Sequence, residues 1–167
     1  MCDENGLCTH GEAAKQRMHQ VHDAIERVAS GDGGGMAAFV ELLGESPFDG
    51  FVALCGLASI GHTYFLRSAG APEGSKANFT LMAAIDGATG KTIAEEDMPR
   101  GLKFTGAFMV AYANADMDEC MRLYTETMDD SDDTYFADCV KEMVDTAIGF
   151  MKKLLAMGKP SWSYSGS

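Results

Sequence analysis

The chain has 167 residues, the length of one ordinary domain, and its 46% hydrophobic content is enough to bury a core without disulfide or metal staples. Its formal net charge of −12 would repel nucleic-acid phosphates, so direct nucleic-acid binding is not expected, whereas basic partners or cations are favoured. The sequence has no secretory signal peptide and no apolar stretch long enough to span a bilayer, which predicts a cytoplasmic protein without a membrane segment.

The first part of the chain predicts three helices after a loose lead-in over residues 1–11. Apolar residues at 4-3-4-3 spacing predict a helix from about Glu12 to Ala29, which a glycine-rich run then ends. A short helix is expected from Met36 to Leu43. Ser46 at the cap position, followed by Pro47, predicts the start of a third helix that extends to about Ser68. This helix is apolar nearly all round, which indicates packing on more than one side.

The middle segment, residues 78–94, is ambiguous between strand and helix. It contains a short apolar run followed by two turn signals, Asp86-Gly87 and Thr89-Gly90. We favour a small β-hairpin over a short helix, although periodicity alone does not separate the two for so short a run.

The last part of the chain predicts three more helices. One begins near Gly101 and ends at a break around Asn114 to Asp116. The final helix, from about Asp132 to Met157, has the most regular apolar stripe in the sequence, and Ser131 is its expected cap. The intervening helix is marked by Met117, Met121, Tyr124 and Met128.

Taken together, these patterns predict a mainly α fold. We expect a single helical domain over residues 12–157, arranged as a bundle of five or six helices, and a flexible tail over residues 158–167. A small β-hairpin near residues 78–94 would be its only departure from helical structure.

Residue types that bind metals are concentrated near the N-terminus. Three of the four histidines and two of the five cysteines lie in the first 22 residues. Thiolate and neutral imidazole are preferred zinc ligands, although the spacing matches no standard zinc motif. The alternative is a helix that carries two histidines on its solvent face. The candidate zinc ligands are Cys8, His10, His19 and His22.

Negative charge is concentrated between Asn114 and Asp145. This segment has eight Asp and three Glu against Arg122 and Lys141, a net charge of −9. Such a surface favours a basic protein partner, and the alternative is a solvated surface that keeps the protein soluble. The candidate partner-binding residues are Asp116, Asp118, Glu119, Glu126, Asp129 and Asp130.

Methionine and cysteine both follow helical apolar spacing. The sequence has twelve methionines, and their spacing with aromatic residues predicts core filling rather than an adaptable binding surface. Cys55, Cys120 and Cys139 lie on apolar stripes, which predicts buried, reduced and inert thiols rather than a disulfide framework. The methionines concerned are Met109, Met117, Met121, Met128, Met143 and Met151.

No motif in the sequence specifies catalysis. Gly87–Thr92 resembles the end of a phosphate-binding loop, but Ile85 stands where the first glycine is required. Asp129 could begin a calcium loop, but Thr134 and Val140 replace the glycine and glutamate that such a loop needs.

The sequence therefore predicts a non-enzymatic, acidic helical interaction protein: an adaptor, an inhibitor or an assembly factor. The alternative is a helical protein with zinc at the N-terminal Cys/His cluster. The partner would be a protein, and the sequence also leaves a homodimer open.

Overall fold

The computed structural model describes residues 9–44, 46–70, 84–85, 89 and 91–158. Within them the fold is mainly α, as predicted, and each helix begins and ends within one turn of its expected position. None of these helices is long and apolar enough to cross a membrane. The helices of the described part are α1 (Thr9–Ala29), α2 (Gly34–Leu42), α3 (Pro47–Ser68), α4 (Arg100–Ala113), α5 (Met117–Asp129) and α6 (Tyr135–Ala156).

Two short strands form the predicted hairpin. Strand β1 (Ala84–Ile85) pairs antiparallel with β2 (Thr92–Ile93), with Ala84 opposite Ile93. A 3₁₀ turn over Glu95–Asp97 follows and leads into α4. Most of the connection between the strands lies outside the described residues.

The chain divides into two compact units. The first comprises residues 1–75 and 144–167, and the second comprises residues 76–143, so the boundary lies inside α6. The predicted single domain over residues 12–157 stays a prediction. Residues 1–8 and 159–167, which include most of the predicted lead-in and tail, lie outside the described residues.

In the first unit, α3 is the central helix, and 13 of its 22 residues are buried. Helix α1 approaches α3 closely at Gly56, where an added Cβ would lie 2.9 Å from the Cβ of Val21. The later half of α6 contributes Phe150, whose ring stacks on Tyr64 with 5.0 Å between centroids. The all-round apolar sequence of α3 is therefore explained by neighbours on several sides.

Polar contacts fix the helix ends of the first unit. The Ser46 hydroxyl accepts a hydrogen bond from the Asp49 N–H at 3.2 Å, as its predicted capping role requires. Arg17 on α1 donates to the Leu42 carbonyl at 2.7 Å and pairs with Asp49 at 3.2 Å. One α1 side chain thus connects the end of α2 to the start of α3.

In the second unit, α4 packs on α5, and the first turns of α6 complete the contacts. The ring of Tyr124 on α5 meets the edge of Phe136 on α6 at 5.9 Å. Gly101 on α4 lies against the backbone of α6, since an added Cβ would be 2.8 Å from the Asp138 carbonyl oxygen. Phe104 and Phe108 of α4 are buried.

The start of α6 differs from the prediction that Ser131 caps it. The helix begins later, at Tyr135, and Asp132 accepts hydrogen bonds from both the N–H and the hydroxyl of Thr134. Arg100 on α4 pairs with Asp132 at 2.6 Å and with Asp138 at 2.7 Å. Asp132 is the better acceptor here because its carboxylate receives two donors of Thr134 and one of Arg100.

Candidate functional site

Helix α5 carries the six carboxylates that the sequence singled out. Asp116 is its N-cap and accepts a hydrogen bond from the Glu119 N–H at 3.1 Å, and Asp130 follows its last residue. Acids in the first turn are favoured because the helix N-terminus is the positive end of the helix dipole. Arg122 is the one basic residue between Asp116 and Asp130.

Arg122 neutralises part of this charge. Its guanidinium pairs with Glu119 at 2.7 Å and with Glu126 at 3.0 Å, one helical turn away on each side. The hydrogen bonds from Arg122 lower the pKa of Glu119 below its ordinary value. Both carboxylates are therefore engaged by Arg122 within the helix.

Two other carboxylates of α5 face solvent without such a partner. Asp118 and Asp129 are exposed, and neither forms an ion pair with a lysine or arginine of the described chain. Exposed Asp130 accepts a hydrogen bond from the Asp132 N–H at 2.8 Å, which orders it without neutralising it. The predicted acids thus fall into two groups: carboxylates that are paired with Arg122, and exposed carboxylates that could contact a ligand.

Three methionines of α5 are exposed, although their spacing predicted a place in the core. The exposed fractions of Met117, Met121 and Met128 are 43%, 45% and 48%. In contrast, Met109, Met143 and Met151 are buried, as predicted. Core filling was therefore the wrong interpretation for the methionines of α5 alone.

The buried face of α5 is instead formed by Cys120, Tyr124 and Thr127. At about 100° per residue, Met117, Met121 and Met128 lie within about 40° of one another on the helix circumference, and we call them the methionine strip. The strip is rotated about 70° from the buried face. It is rotated about 90° in the opposite direction from Asp118 and Asp129, which we call the acidic edge.

The predicted zinc ligands are only partly within the described residues. His19 is exposed on α1, whereas His22 is buried, so the two do not share the solvent face that the alternative interpretation assigned to them. Cys8 and the side chain of His10 lie outside the described residues. No group of three or more His, Cys, Asp or Glu side chains within the described part could hold a metal ion. The zinc site stays a prediction.

His22 is a structural histidine of the α1–α3 contact. Its Nε2 lies 3.1 Å from the Gly56 carbonyl oxygen and also contacts the Ser59 hydroxyl, which itself donates to Gly56 at 2.8 Å. Burial lowers the pKa of His22 to about 3, so the ring is neutral at physiological pH. A carbonyl can only accept, so the geometry fits a proton on Nε2.

This arrangement does not activate Ser59 as a nucleophile. A general base must accept the serine proton, whereas a ring with its proton on Nε2 has no acceptor there and the Ser59 hydroxyl donates to the Gly56 carbonyl. His22 is only 1% exposed and Ser59 only 6%, so both residues are buried in the α1–α3 contact. The His–Ser pair therefore contributes packing and hydrogen bonding.

The three described cysteines are buried and reduced, as predicted. Burial raises the pKa of Cys120 to about 12 and that of Cys139 to about 11, so neither is a thiolate at neutral pH. These thiols fill space in the fold and are poor nucleophiles.

The methionine strip is the feature that sequence reasoning missed. Its signal was present in α5, because Cys120, Tyr124 and Thr127 also follow 4-3 spacing, and two competing stripes cannot both be the buried face. The methionines were assigned to the core, whereas Cys120, Tyr124 and Thr127 occupy it.

The chain matches no protein-family model, and no curated protein or solved structure was found to be similar to it.

Proposed function

We propose that this chain is a non-enzymatic interaction protein that binds a basic protein partner through α5. The observation that carries the proposal concerns that helix: it has two exposed carboxylates that pair with no lysine or arginine among the described residues, next to three exposed methionines. Adaptor, inhibitor and assembly factor are the roles that such a surface suits. The net charge of −12 supports a basic partner over a nucleic acid.

The cytoplasm is the compartment that we propose. Buried, reduced Cys55, Cys120 and Cys139 support a reducing environment. A partner chain different from this one is favoured over a homodimer through α5, since two copies would bring like charges together across the interface.

Neutralising the acidic edge is the direct test of the proposal. We expect Asp118→Asn/Asp129→Asn to weaken binding of an unstructured lysine-rich peptide about tenfold at 50 mM NaCl, because two uncompensated charges are lost from the contact surface. Fluorescence anisotropy with a labelled peptide measures the affinity. For the unaltered protein, the affinity should fall steeply between 50 and 300 mM NaCl, since the exposed charges are screened.

The matched control removes two charges elsewhere. Exposed Asp23 on α1 and Glu41 on α2 give the variant Asp23→Asn/Glu41→Gln, which has the same net charge as the α5 variant. It should bind the peptide nearly as well as the unaltered protein. Equal losses in the two variants would mean that overall charge, and not α5, attracts the peptide.

Substitution of Arg122 should have the opposite effect. Arg122→Gln releases Glu119 and Glu126 from their ion pairs and makes both available to a basic ligand. We expect the same lysine-rich peptide to bind about three- to fivefold more tightly at 50 mM NaCl, with little loss of stability because exposed ion pairs contribute little. Unchanged or weaker binding in the anisotropy assay would count against α5 as the contact surface.

A further inference from the structure

The methionine strip adds an apolar component that charge alone does not explain. Its three side chains remain between 43% and 48% exposed, although the same helix buries Cys120, Tyr124 and Thr127. Methionine is unbranched and polarizable, so a row of methionines can adapt to apolar side chains of different shapes. An exposed apolar row next to polar groups is typical of an interaction surface.

We infer that the methionine strip and the acidic edge together form a docking face for a basic amphipathic helix. This inference rests on the proposed function and specifies the ligand. The partner helix would have a row of apolar side chains that covers the methionine strip, and lysines or arginines along one flank that contact Asp118 and Asp129. The cations must lie on that flank because the buried face of α5 borders the other side of the strip.

The spacing of the strip fits a helical ligand better than an extended one. Met117 and Met121 are about 6 Å apart along the helix axis, and Met121 and Met128 about 10.5 Å apart. A strand presents side chains on one face only at multiples of about 6.6 Å, so it matches the first gap but not the second. A partner helix of about three turns, packed nearly parallel to α5, covers the full length of about 16 Å.

The charges on the docking face also favour one kind of ligand over others. An anionic lipid surface or a nucleic acid would be repelled by Asp118 and Asp129. A second copy docked through the same face would place its own acidic edge against this one. A cationic ligand satisfies both parts of the surface at once.

The test uses three synthetic peptides of equal lysine content. One has its leucines on a single helical face, one is the scrambled isomer of the same composition, and one has every leucine replaced by glutamine. We expect the amphipathic peptide to bind at least tenfold more tightly than either other peptide at 150 mM NaCl. Its helical circular dichroism signal should increase on binding, and anisotropy measures the three affinities.

Substituting the three methionines of the strip should abolish only the preference for the amphipathic peptide. We expect Met117→Gln/Met121→Gln/Met128→Gln to reduce the affinity for the amphipathic peptide about tenfold. The affinity for the scrambled peptide should not change. The control is Met36→Gln/Met157→Gln, which alters two exposed methionines of the first unit and should bind like the unaltered protein. Methyl NMR of the unaltered protein gives an independent readout: the signals of the strip should shift on titration, and that of Met157 should not.

The possible results distinguish a failure of the docking inference from a failure of the proposed function. If the amphipathic and scrambled peptides bind equally, the docking inference is overturned and the proposed basic-partner function stands. If no basic peptide binds even at 50 mM NaCl, both are overturned. If sedimentation shows a dimer that the triple methionine variant dissociates, the occupant is a second copy and the inference is overturned.

Discussion

Lowering the pH from 7 to 5 is expected to reduce the free energy of unfolding by about 2 kcal/mol through His22 alone. Burial between α1 and α3 lowers the pKa of His22 to about 3, whereas in the unfolded chain the ring has its ordinary pKa of 6.5. Between these values the unfolded state binds more protons than the folded state, so stability falls as the pH falls. This loss begins near pH 6.5 and continues toward pH 3.

Two variants on the same helix isolate this contribution. His22→Gln removes the titrating ring, so its stability should vary much less between pH 7 and pH 5, although it should be less stable than the unaltered protein at pH 7. His19→Gln removes an exposed histidine three residues earlier and should retain the full pH dependence. Urea denaturation at several pH values measures the slope of the free energy of unfolding against pH for each variant. Identical slopes for His22→Gln and the unaltered protein would show that His22 does not remain neutral in the fold.

The burial of His22 illustrates where sequence reasoning succeeds and where it stops. The predicted stripe of α1 is only partly buried: Met18, Val21 and Ile25 are buried, whereas its two end residues, Ala14 and Val28, are half-buried. His22 lies beside Val21 at the margin of that stripe, so periodicity alone favoured solvent. Its burial depends on Gly56 and Ser59, which are more than 30 residues away in sequence and supply the hydrogen bonds that a buried imidazole requires.

Helix positions were more predictable because their signals are local. Ser46 followed by Pro47 marks the start of α3 with a side-chain cap and a fixed backbone angle. At α6 the local signal was ambiguous, since Ser131, Asp132 and Asp133 are all residue types that cap helices. Asp132 accepts hydrogen bonds from Thr134 just before the helix begins, and it also pairs with Arg100, which is 32 residues away.

The proposed docking face was half predictable. Local charge density identified the acidic segment between Asn114 and Asp145, which includes α5, and most carboxylates of this segment are exposed. The methionines were ambiguous, since a thioether suits either a core or an adaptable surface. The packing of α5 on α4 and on the first turns of α6 decides which of its two stripes is covered.

Replacing Gly35 with alanine is expected to destabilise the protein by about 2 to 3 kcal/mol, although alanine is the better helix former. Gly35 is buried where α2 meets α1, and an added Cβ would lie 2.5 Å from the Ala24 carbonyl oxygen. It would also lie 2.8 Å from Val28 Cγ2, a branched side chain. Because backbone atoms cannot rotate away, α2 must shift and lose packing, which outweighs the gain of about 1 kcal/mol in helix propensity.

The same substitution at Gly149 provides the matched control with the opposite expected sign. Gly149 lies within α6, is exposed, and has no atom within 4 Å of the position of an added Cβ. Gly149→Ala should therefore stabilise the protein by about 0.5 to 1 kcal/mol through propensity alone. Thermal and urea denaturation of both variants separate close packing from backbone preference. If both variants gained stability equally, the close approach of α2 to α1 at Gly35 would be wrong, because helix propensity would then account for both results.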